Sequence, residues 1–160
     1  MRLPVEVLCE RYKDNLYAAA FNVCRNSADA EDIVQDALLQ YHYSTLEFES
    51  EEHMRAWLLR VAINKAKNSV RSFWNRRTTG LEDYCETLVF ETPESHDLFE
   101  TVMKLPESYR IVLHLFYFED YSIRETAEIL GQSEGSVKVR LSRARAMLKN
   151  LLREEWDYDE

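Results

Sequence analysis

Between Gly131 and Met147 the sequence reads GQSEGSVKVRLSRARAM, which sets Lys138, Arg140, Arg143 and Arg145 within eight positions. Cations so closely spaced suit phosphate neutralisation, and a guanidinium can also pair with the edge of guanine. A second group, Asp29, Asp32 and Asp36 in NSADAEDIVQDALLQ, offers two chemistries. Carboxylates of this kind could hold a divalent cation for a metal-dependent nuclease. They could equally sit in the first turns of a helix, where the dipole favours negative charge. No histidine or further acidic motif completes a hydrolytic centre, so no catalytic residue, metal or cofactor is assigned and the chain is not read as an enzyme.

The cations need a rigid element to position them. Ser122-Ile-Arg-Glu125 has the S-x-x-E form of a capping box and predicts a helix through ETAEIL that stops at Gly131. Ser133 can cap a second helix, with Glu134 favourably placed in its first turn. Two helices joined by so short a turn make a helix-turn-helix candidate. At about 100° per residue, Val137, Leu141, Ala144, Leu148 and Leu151 form one apolar stripe, with Lys138, Ser142, Arg143, Arg145 and Lys149 spread over the rest. The small residues Gly135 and Ser136 in the first turns let such a helix approach a major groove.

The wider sequence agrees with an all-helical chain. Its 160 residues, 46% hydrophobic, suffice for one moderate core or two small ones, and glycine and proline number only three each. The net charge of -9 conceals segregation: residues 1–77 carry 11 basic and 11 acidic groups, residues 78–97 carry none and six, and residues 98–160 carry nine and 12. The stretch 78–96 is therefore read as an acidic linker between two helical domains, 1–77 and 97–160. Cys9, Cys24 and Cys85 are widely spaced, without the clustering of a disulfide framework or zinc site, which fits a reducing cytoplasmic setting. No apolar run reaches the ~20 residues of a membrane span, so no direct membrane insertion is expected.

Residues 53–81 contain no acidic group. On a helical projection Met54, Leu58, Leu59, Ala62, Ile63, Ala66, Val70 and Phe73 cover one apolar side. Arg60, Asn64, Lys67, Asn68 and Arg71 gather opposite, beside Trp57, as a stripe suited to phosphates and base edges.

LPESYRIVLHLFYFEDYSIRETAEILGQSEGSVKVRLSRARAMLKNLL resembles the fourth-region domain of extracytoplasmic-function sigma factors, the smallest members of the sigma-70 family of bacterial RNA polymerase subunits. DAEDIVQD resembles the second-region helix that such factors dock on the polymerase clamp helices, and MRAWLLRVAINKAKNSVRSFWNRR resembles their minus-ten-recognition helix. The resemblance covers roughly residues 8–77 and 97–152, and a helix-turn-helix activator that binds DNA without docking polymerase is the alternative.

The resemblance implies a sigma factor that binds core RNA polymerase, recognises two promoter elements and traps melted single strand, while polymerase makes the bonds. Asp32, Gln35, Asp36 and Leu39 are the implied polymerase contacts. For the minus-thirty-five element they are Lys138, Val139, Ser142 and Arg143 on base edges, with Arg140 and Arg145 nearer the phosphates and Ser136 in the first turn of the same helix. For the minus-ten element they are Phe48, Arg60, Asn64, Lys67, Asn68 and Arg71. Phe48 lies in the loop STLEFESEEH, which departs from the commoner glycine-containing form, and is expected either to stack on an extruded base or to anchor the loop. Asn68 stands where many members have aspartate. The acidic linker could occupy a cationic path meant for RNA, and the group as a rule is inhibited by an anti-sigma protein, often membrane anchored.

Overall fold

The computed structural model describes residues 1–72 and 93–158, with side chains described for 1–70 and 98–154. The chain divides into two compact units, Met1–Gly80 and Leu81–Glu160. Linker residues up to 92, together with Phe73, Trp74 and Cys85, lie outside the described residues.

The first unit packs three helices, α1 (Val5–Cys24), α2 (Ser27–Tyr43) and α3 (Glu51–Ser72), each against the other two. Helix α1 ends where Arg25 adopts a left-handed conformation at φ 53° and donates its amide to Phe21 O. That turn delivers Asn26, whose side chain accepts from the Asp29 amide at 2.9 Å and starts α2. The predicted apolar side of α3 is the buried one: Met54, Leu58, Leu59, Ala62, Ile63 and Ala66 are all inaccessible to solvent. Ala19 and Ala20 on α1 and Ala30 and Ala37 on α2 are likewise inaccessible, and such small side chains let helix axes approach closely. Arg11 and the Tyr12 hydroxyl both bond Glu51, tying α1 to the first turn of α3. These bonds, Tyr12 first, hold the Glu51 carboxyl below its ordinary range, while burial and then the bond to Glu51 push the Tyr12 phenol up to about 12.

The second unit holds α4 (Pro93–Val102), α5 (Glu107–Leu113), a π-helical turn (His114–Phe118), α6 (Ile123–Leu130) and α7 (Glu134–Tyr158). Helix α4 begins at Pro93, inside the stretch read as linker. The capping box of α6 is complete: Ser122 Oγ accepts from the Glu125 amide and Glu125 Oε1 accepts from the Ser122 amide, both at 3.0 Å. Gly131 ends α6 at φ 65°, and Ser133 Oγ accepts from the Ser136 amide at the start of α7. Because Ser122 is exposed, its removal leaves no cavity, and Ser122→Ala should cost about 0.5–2 kcal/mol through the lost cap alone. A lowered thermal midpoint of the second unit, with the first unit unmoved, is the expected readout.

Val137, Leu141 and Ala144 are buried, and Leu148 and Leu151 half-buried, so the predicted stripe of α7 is its core face. The π turn has no counterpart in the sequence reading. Its closing bond runs from the Glu119 amide to His114 O at 3.0 Å, and His114 Nε2 lies 3.1 Å from Glu119 Oε1 in a buried pair. The wider turn leaves Tyr117 50% and Phe118 59% exposed.

Candidate nucleic-acid interface

Asp32, Gln35, Asp36 and Leu39 recur at three- and four-residue intervals on α2, and all four are exposed. Ile33, Ala37 and Tyr41 occupy the buried side of the same helix, so core packing turns the four outward together. Leu39 is 51% exposed, one turn beyond Asp36 on the same helix. It borders a groove against α1 that is also lined by Val5, Cys9, Leu38 and Tyr43. Tyr43, 78% exposed, was not singled out in the sequence because no periodicity distinguishes it from core aromatics. Cys9 and Cys24 are thiols outside any disulfide, and Cys24 Sγ donates to Asn26 O at 3.5 Å.

On α3, Arg60, Asn64 and Asn68 are exposed and Lys67 is half-buried, all opposite the Leu58–Ala62–Ala66 side. Arg71 belongs to the same helix, but its side chain lies outside the described residues. This face carries cations and amides without carboxylates, which suits a phosphate backbone with unpaired bases beside it.

Phe48 does not join that face. It is 4% exposed and packs against His53, Tyr41 and Trp57, with ring centroids at 5.1, 5.7 and 5.7 Å. Of the two expectations for this residue, the structure holds the anchor, because the aromatic pocket beneath the loop removes more apolar surface from water than an exposed ring would. Thr45, Leu46, Glu47 and Glu49 are what the loop presents to solvent. Trp57 is half-buried, its edge against Tyr41 and Phe48.

On α7, Lys138, Val139, Ser142 and Arg143 are exposed together, while Ser136 and Arg140 are half-buried at its flank. Arg145 departs from the group. Its Nε donates to the Tyr117 hydroxyl, and its guanidinium lies 5.5 Å from the Phe116 ring and 5.4 Å from the Tyr117 ring. At ~100° per residue Arg145 borders the buried stripe, within reach of the π turn. There it rims an apolar groove lined by Leu98, Val102, Leu113, Phe118, Leu148 and Leu152, which the sequence reading missed. A feature made by an irregular turn against a helix leaves no periodic signal.

Among the described residues, no three His, Cys, Asp or Glu side chains converge to hold a metal ion, and no helix is long and apolar enough to cross a membrane. Family models match both units: sigma-70 region 2 over residues 8–77 and sigma-70, region 4 over residues 95–148. The chain is 32% identical over 158 residues to the ECF RNA polymerase sigma factor SigM of Mycobacterium tuberculosis, covering 94% of this chain and 78% of that one. It is 28% identical over 160 residues to SigW of Bacillus subtilis, covering 89% and 86%. Among solved structures it is similar to CnrH in complex with the cytosolic domain of CnrY, with TM-score 0.67, 28% identity, and 94% and 88% coverage. It also shares the fold of RpoE from Bartonella quintana, with TM-score 0.72, 22% identity, and 92% and 96% coverage. Matches to both sigma regions in their proper order disfavour an activator with the C-terminal helix-turn-helix alone. Sigma factors are in general non-enzymatic DNA-binding regulators. The chain therefore belongs to the extracytoplasmic-function group of the sigma-70 family and is a promoter-specific sigma factor of RNA polymerase.

Proposed function

We propose that three exposed faces divide the work of initiation. The α2 stripe of Asp32, Gln35, Asp36 and Leu39 docks core polymerase. The α3 face of Arg60, Asn64, Lys67, Asn68 and Arg71 engages the minus-ten element, with Phe48 anchoring the adjoining loop from beneath. The N-terminal half of α7 reads the minus-thirty-five element through Lys138, Val139, Ser142 and Arg143, with Ser136 and Arg140 toward phosphate. Arg145 bonds Tyr117 through Nε and keeps its Nη donors for phosphate. The observation that carries this reading is the joint exposure of Lys138, Val139, Ser142 and Arg143 on a helix whose opposite side is the core of the unit.

On this reading the chain works in the cytoplasm beside the polymerase and has no bond-making chemistry of its own. An anti-sigma protein, soluble or membrane anchored, holds it inactive until released. The solved complex of CnrH, a 28% identical relative, with the cytosolic domain of CnrY supports that regulation.

The test is transcription in vitro with core polymerase free of other sigma factors, on pooled genomic fragments, with transcript starts mapped. Starts that need this protein and share two upstream elements at one spacing are expected. Absence of such starts, where another sigma factor gives its own, would refute the reading. On the promoter so found, Arg143→Ala should cost about 1–3 kcal/mol if the guanidinium pairs with a guanine, and the loss should vanish when that base pair is changed. Equal losses on all sequences would reassign Arg143 to phosphate.

A further inference from the structure

The loop between α2 and α3 is held at both ends, and its N-terminal end is held by a residue outside both helices. On the far side, Ser50 Oγ accepts from the His53 amide, His53 Nδ1 accepts from the Glu49 amide, and Glu51 is bonded by Arg11 and Tyr12. On the near side the Met1 ammonium donates to Glu47 Oε2 at 2.9 Å and to Phe48 O at 3.0 Å, and the start of the loop is held by Arg2. Its Nη1 donates to Leu46 O at 2.6 Å and to Ser44 Oγ at 3.1 Å, and its Nη2 donates to Tyr41 O at 2.8 Å. The guanidinium carbon also lies 4.5 Å from the Tyr41 ring centroid and 5.9 Å from that of Phe48.

Each contact has a separate physical consequence. Tyr41 O belongs to the last turn of α2, where it also accepts from the Ser44 amide at 3.1 Å and the Ser44 hydroxyl at 2.8 Å, and where a cation is favoured by the dipole. Leu46 O lies in the loop itself, so its bond fixes the course of the backbone just before Phe48. The guanidinium stands over the Tyr41 ring and near Phe48, while the Phe48 amide donates to Met1 O at 3.3 Å. Planarity, fork geometry and stacking are properties of arginine that a lysine ammonium lacks.

We propose that Arg2 is a positioning residue for promoter opening: it fixes the 44–50 loop so that its exposed residues meet an extruded base in one geometry. The inference rests on the proposed minus-ten role of α3, extended to the loop that leads into it. Extruding a base costs about a few kcal/mol, so a loop that must be ordered at the same moment captures it less well. Arg2 orders the loop in advance, without touching the base.

The test uses the full chain with core polymerase and compares Arg2→Ala, Arg2→Lys and a loop variant with Thr45, Leu46, Glu47 and Glu49 all changed to alanine. Two quantities are read. One is amide hydrogen exchange over residues 44–50. The other is the ratio of open-complex yield on the promoter to that on the same promoter with its minus-ten bases substituted, followed with a fluorescent base. Loss of a charge-assisted bond predicts that Arg2→Ala speeds loop exchange about tenfold or more and lowers the ratio about tenfold, with core binding unchanged. Arg2→Lys should fall between Arg2→Ala and the parent in both, and it retains the charge should the alanine variant fold poorly. Faster exchange with an unchanged ratio, or unchanged exchange, would overturn the proposal while leaving the loop assignment intact. A loop variant that keeps the parental ratio would overturn the loop assignment, and the role of Arg2 with it.

Discussion

Reversing the charge at Asp36 (Asp36→Arg) is expected to weaken association with core polymerase by about 2–5 kcal/mol, which is roughly 30-fold to several thousand-fold. Asp36 is exposed at the middle of the proposed docking stripe, between Asp32 and Leu39, where a partner cation would be desolvated by the neighbouring leucine. An exposed helix position away from the core tolerates substitution within about 0.5 kcal/mol, so the fold should not change. Titration of labelled chain with core enzyme measures the effect, and thermal unfolding checks the fold. Glu128→Arg makes the same charge change in α6, where Glu128 pairs with Arg124 at the surface in an ion pair of 3.5 Å. It should leave core affinity nearly unaltered, because surface pairs of this kind contribute only ~0–1 kcal/mol. If both reversals weakened docking equally, overall charge rather than the stripe would govern association.

Leu141→Ala should destabilise the second unit by about 2–5 kcal/mol. Leu141 is 1% exposed and lies between Val137 and Ala144 on the buried side of α7, so truncation removes contacts and leaves a cavity that neighbouring helices fill only in part. A small domain has ~5–15 kcal/mol to lose, and the loss should appear as a lowered unfolding transition for residues 81–160. The transition of residues 1–80 should stay in place, because each unit has its own core. Scanning calorimetry on the full chain resolves this, with Ser142→Ala as the exposed neighbour expected to shift nothing. In transcription, Leu141→Ala should lose dependence on the minus-thirty-five element as temperature rises, while α2 keeps its hold on core polymerase. The comparison separates what α7 does by touching DNA from what it does by being folded.

Local rules carried the sequence a long way. The capping box at Ser122 and the stop at Gly131 depend on residues within a few positions of each other, and each formed as its spacing required. The stripes of α3 and α7 follow from a helical period acting on apolar residues, and the inaccessible side chains of Met54, Leu58 and Val137 obey it. The outward faces came with them, since a helix that buries one side must expose the other. Family membership was legible too, because the motifs of both units stand in order along the chain.

What only the tertiary structure decided lies where distant segments meet. Whether Phe48 faces a base or the core depends on Tyr41 and Trp57, which belong to different helices and enclose it. Arg145 carries the same charge as Arg143, yet the π turn, 28 residues earlier, supplies the Tyr117 hydroxyl that engages it. Arg2 looks like an ordinary terminal cation until chain folding brings Tyr41, Ser44 and Leu46 to its guanidinium. Helical periodicity encodes which side of an element turns inward, but not which side chain of another element will be waiting there, because that depends on packing between segments far apart in sequence.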